Sequence, residues 1–136
     1  MSNALYDLGR EGFLDGNISW SADSIKTVLV DSALYTPNLT THEFLSSIPA
    51  GARTATSANL TAKTVAAGIA DASDATFTAV PVDSSQEYVV IYQDTGDVNT
   101  SRLIAFIDTA TGLPVTPNGG DIVVEWSNGA VKIFKL

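Results

Sequence analysis

SRLIAFIDTATGLPVTPNGGDIVVEWSNGAVKIFKL, residues 101–136, reads as strand, turn and strand again, and its reading decides the fold class. Residues 102–108 and 122–126 are short, apolar and rich in β-branched side chains, with a loop over 109–113. Asn128-Gly129 is the dipeptide that a two-residue type I′ turn favours, because both of its central positions need positive φ. A hairpin is therefore expected to join 122–126 to 131–136, with the chain ending inside a strand and no room left for a tail. The stretch describes a compact β domain and carries none of the chemistry an enzyme needs.

Working outward, residues 87–93 (EYVVIYQ) place Tyr88, Val90 and Tyr92 on one face and Val89 and Ile91 on the other. Apolar residues on both faces predict a central strand covered on each side. Residues 94–100 (DTGDVNT) are the turn that follows. Residues 24–30 alternate in the same way, with Ile25, Thr27 and Leu29 opposed to Lys26, Val28 and Val30. Ile18-Ser19-Trp20 reads as a further short strand. The Thr/Ala-rich tract over 52–79 has helical propensity at 62–72, but its frequent Thr, Val and Ile favour strands over 54–66 and 76–80. Residues 31–39 form a loop broken by Pro37. Thr40 and Glu43 have capping-box spacing ahead of Phe44, Leu45 and Ile48, so a small helix is expected near 41–48, stopped by Pro49 and Gly51. Residues 3–14 are the best helix candidate, with Asn3 as its cap. Gly9 and Gly12 each cost roughly 1 kcal/mol in a helix interior. They point to a short helix, or to one whose backbone lies close to another surface. About seven to nine short strands at roughly 8–12-residue spacing predict an all-β fold, an antiparallel sandwich or barrel-like domain. Residues 1–136 are expected to form one domain, with 1–16 as an N-terminal arm.

Composition agrees with that class. Of 136 residues 45% are hydrophobic and only 16% charged, well below the usual ~25%. Ser, Thr, Asn and Asp must therefore supply most of the polar surface. Fifteen acids against seven bases give a net charge of −8, which disfavours a phosphate-backbone partner. There are no cysteines, so disulfides, thiolate metal sites and thiol nucleophiles are excluded. No run approaches the ~18 apolar residues of a membrane helix, and the opening residues do not read as a secretory signal.

The search for chemistry is mostly negative. His42 is the sole imidazole, so a Ser-His-Asp site would have to use it; a surface or capping role is the ordinary reading. His42-Glu43 has no HExxH partner. Asp94, Asp97 and Asn99 offer oxygens to calcium but lack the EF-hand order, and Asx residues in turns usually bond their own backbone. Any pair among fifteen acids could mimic a glycosidase couple. Gly119-Gly120 lies between strands, without the strand-to-helix context of a phosphate loop. Trp20 and Trp126 could form a sugar platform, although aromatics at strand positions are more often core. No catalytic, metal or cofactor-binding residue is expected. The mixed apolar surface of Leu5, Tyr6, Leu8 and Phe13, interrupted by two glycines, is the expected partner interface, together with loops at one end of the sandwich.

Three blocks, NALYDLGREGFLDGNISW (3–20), DSALYTPNLTTHEFLSSIPAGAR (31–53) and LIAFIDTATGLPVTPNGGDIVVEW (103–126), resemble a family of small virion structural proteins of tailed bacteriophages. The resemblance covers nearly the whole chain. It implies a capsid decoration (cement) protein without enzymatic activity, which binds the major capsid protein or another virion protein on the capsid surface. It further implies a homotrimer or other homo-oligomer, assembled in the host cytoplasm, with neither nucleic acid nor membrane as partner. A neck, connector or tail component of the same particle is the alternative, and a carbohydrate-binding β-sandwich module the more distant one.

Overall fold

The computed structural model describes residues 3–127, 129 and 132–136. Its described elements are β1 (Ala4–Leu5), α1 (Asp7–Leu14), β2 (Ile25–Val30), β3 (Arg53–Thr56), β4 (Thr64–Ala66), β5 (Ile69–Asp71), β6 (Ala75–Phe77), β7 (Tyr88–Gln93), β8 (Leu103–Ile107), β9 (Ile122–Val124) and β10 (Phe134–Lys135). The fold is all-β and antiparallel, as the alternation predicts. A five-stranded sheet runs β1-β8-β7-β2-β3, and two small sheets, β10-β5-β4 and β6-β9, accompany it.

The large sheet is buried on both faces, and this is why its central strands read as nearly continuous apolar runs. On one face Ile25, Leu29, Val89, Ile91 and Ile104 pack with Phe77, Ile122, Val124, Trp126 and Phe134 from the small-sheet side, giving a sandwich-like layer. On the other face Val28, Val30, Val90, Tyr92 and Phe106 lie under Tyr6, Tyr35, Leu45, Ile48 and Ala52. The predicted facing of β2 and β7 therefore holds. The register between β7 and β8 shifts between Ile91 and Tyr92, whose partners are Ala105 and Leu103, leaving Ile104 as the extra residue. Such a bulge turns two successive side chains to one side, and Ile104 and Ala105 indeed share one core.

Several expectations need correction. Ile18-Ser19-Trp20 is not a strand. Asp23 Oδ2 accepts from the Ser19 amide at 2.7 Å and Ser19 Oγ from the Ala22 amide at 3.3 Å, so local side-chain bonds outcompete a ladder. The small helix near 41–48 is only a 3-10 turn at Leu45–Ser47. Its expected capping box does not form, because Glu43 binds Arg102 at 2.9 Å. Asn38 Oδ1 instead accepts from the amides of Thr40 and Thr41. Asn3 does not cap α1, whose N-cap is Tyr6 without a side-chain bond. Its Oδ1 accepts from the amides of Asp108 and Thr109 at 2.8 and 2.9 Å.

The expected hairpin between 122–126 and 131–136 is also absent as a pairing. β9 pairs with β6 and β10 with β5, in different sheets; Asn128, Ala130 and Val131 lie outside the described residues. The tight hairpin that does form joins β4 to β5 through Ala67-Gly68, with Ala66 opposite Ile69 and φ of 53° and 78° at the two turn residues. The 62–72 helix alternative is thereby excluded.

Candidate functional site

The four residues expected at a partner interface do not share one exposed surface. Leu5, at the end of β1, and Tyr6, just before α1, enter the two opposite cores and are 5% and 0% exposed. Leu8 and Phe13 are half-buried on α1. The arm is integral to the fold: β1 pairs with β8, and the Tyr6 amide donates to Ile104 O at 3.0 Å. A Cβ on Gly9 would sit 2.5 Å from Leu103 O. The glycine therefore lets α1 cross the β8 backbone closely, as its placement in a helix suggested. The correction for Leu5 and Tyr6 has a simple cause. An apolar run of this length looks the same whether it covers a partner or its own sheet.

Tyr6, Tyr35 and His42 form a polar chain under the arm. The two hydroxyls are 2.8 Å apart, and Tyr35 Oη lies 2.9 Å from His42 Nδ1. The Asn38 amide also donates to Nδ1 at 3.2 Å, so that nitrogen is an acceptor. Tyr35 then donates to the ring, and Tyr6 donates to Tyr35. Burial raises the pKa of both phenols, most of all Tyr6, and lowers that of His42, so all three stay neutral near pH 7. His42 is thus a structural acceptor, bonded at Nδ1 by Tyr35 and the Asn38 amide and, among the described residues, by no serine or carboxylate.

The other chemical candidates are likewise committed to structure. Asp94 pairs with Lys26 at 3.1 Å and caps the Gly96 amide, while Asp97 accepts from the Asn99 amide. Among the described residues no group of three or more histidines and carboxylates is placed to hold a metal. Four clefts among the described residues are each lined by at most one acidic side chain. Trp20 and Trp126 are 4% and 6% exposed, and their indole N–H groups donate to Asp71 O and Ser73 O. Both rings belong to the core, which overturns their use as a sugar platform.

What the fold does present is a surface along α1 and β10. Phe134 stands edge-on to Trp20 at 5.2 Å and tilted to Phe13 at 6.0 Å. A groove beside this cluster includes Val65 and Leu136, which are 60% and 54% exposed. A cleft on the other side of Phe134 is lined by Arg10, Lys132 and Lys135. The sequence singled out Phe13 and Trp20 but not Val65, Phe134 and Leu136, which lie about fifty to more than a hundred residues further along the chain and carry no motif. No helix among the described residues is long and apolar enough to cross a membrane. Comparison with family models and with curated proteins returns no match.

Proposed function

We propose that this chain is a structural protein of a tailed-phage particle, a capsid decoration protein that binds and stabilises the major capsid protein shell as a homo-oligomer. The observation that carries this reading is how the three resembling blocks interlock. The Asp7 amide donates to Leu39 O, the Leu103 amide to Glu43 O and the Tyr6 amide to Ile104 O, at 2.7, 2.9 and 3.0 Å. The resemblance therefore spans one physically continuous unit rather than scattered motifs. A small acidic β domain whose polar groups serve its own structure suits a role carried out by surface contact.

Quantitative mass spectrometry of purified particles tests this reading. A decoration role requires a copy number comparable to that of the shell subunit, and absence from the particle overturns it. A copy number of a single ring moves the chain to the neck or tail. Light scattering on the isolated protein should give a multiple of the 14.2 kDa chain mass.

A further inference from the structure

The α1–β10 surface combines a cluster of basic side chains with an apolar groove. Three of the seven basic residues in a chain of net charge −8, Arg10, Lys132 and Lys135, line one cleft. Arg10 is shared with Asp7 at 2.9 Å, whereas no carboxylate pairs with Lys132 or Lys135 among the described residues. Across Phe134 lies the apolar groove, where Phe134, Ala70 and Val65 stand in cross-strand register. That row runs from the aromatic cluster to β4, the outer strand of its sheet, whose three residues are all exposed.

We infer that this surface docks an extended protein segment bearing carboxylates and aliphatic side chains in close succession. Charge complementarity selects the occupant. On an acidic protein, a cationic cleft draws an anionic group to that place while the rest of the surface repels it. Val65 and Leu136, the exposed apolar side chains of the groove, then demand hydrophobic side chains from the same partner. Nucleic acid fits less well. A long polyanion meets the net negative charge, and Trp20 and Phe134, which are 4% and 9% exposed, offer no free ring faces for base stacking. The inference rests on this surface and does not require the phage reading.

Fluorescence anisotropy with the full chain tests it, using labelled peptides of alternating Glu and Val/Ile. Matched peptides carry Lys for Glu or Ser for Val/Ile, and a single-stranded DNA oligonucleotide of equal charge is the fourth probe. The Glu–Val/Ile peptide should bind saturably and weaken with salt. Lys132→Glu with Lys135→Glu, and separately Val65→Asp, should each raise its Kd about tenfold or more. These side chains are not fully buried, so an unchanged tryptophan emission spectrum should certify the fold of each variant. The inference is overturned by lack of saturable binding, by equal binding of the Lys or Ser peptide, by equal binding of DNA, or by folded variants that bind like the parent.

Discussion

Gly9 shows how much one missing side chain decides. By intrinsic propensity, Gly9→Ala should stabilise α1 by about 1 kcal/mol. The added methyl would stand 2.5 Å from Leu103 O and 3.1 Å from Ile104 Cα. Those are backbone atoms at the start of a strand buried throughout, and they cannot turn aside as a side chain could. Overpacking of this kind costs typically about 1–3 kcal/mol, so the net expectation is destabilisation. A urea denaturation midpoint that falls in Gly9→Ala checks it; a rise would mean that α1 does not cross β8 this closely. At this scale the sequence was informative in one direction only. Two glycines in a helical pattern announced a close approach, but the atom approached lies some ninety residues further along the chain.

Among the elements, the legible ones are those whose side chains carry their own explanation. β2, β7 and β8 were readable because apolar residues on both faces leave a strand few other places to go. The turns were not. Asn128-Gly129 bears the strongest local hairpin signal, yet the described strands on either side of it pair elsewhere. Ala67-Gly68 bears almost none and closes a two-residue hairpin. Ala67 holds a φ of 53°, a conformation that costs an ordinary L-residue roughly 1–2 kcal/mol and that Asn tolerates better. Ala67→Asn should therefore raise the thermal midpoint, by an amount corresponding to about 0.5–1 kcal/mol. A midpoint that drops would argue against positive φ at this position. The 3-10 turn at Leu45–Ser47 was misread for a related reason. The capping box was present in the sequence, but Arg102, distant in the chain, claims the Glu43 that would complete it.

At the scale of the whole molecule, buried phenols set an alkaline limit on stability. Burial pushes Tyr92 up to about 12, with Asp94 adding to the shift, and raises Tyr6 and Tyr35 as well. The unfolded chain releases these protons near pH 10 while the native state keeps them. The native state therefore holds more protons above that point, and stability falls as pH rises. Below about pH 10 their contribution is complete. Denaturation series from pH 8 to 11.5 should show a steepening loss above pH 10, reduced in Tyr6→Phe. A profile unchanged by that substitution would refute the assignment for Tyr6. The proposed docking surface was the least legible property of all. Its apolar and cationic residues lie on α1, β4 and β10 and in the segments beside them, and only the folded arrangement brings Arg10 beside Lys132 and Lys135.

The clamp of Asn3 on residues 108 and 109, a sequence separation of 105 and 106, has a consequence for biosynthesis. β1 has β8 as its sheet neighbour, so β1 must wait for a strand translated about a hundred residues after it. At 5–20 residues per second that wait is on the order of ten seconds, during which Leu5 and Tyr6 have no native cover. The nascent chain therefore cannot complete its large sheet piecemeal. Closure of the arm therefore follows translation of β8 and of residues 108 and 109.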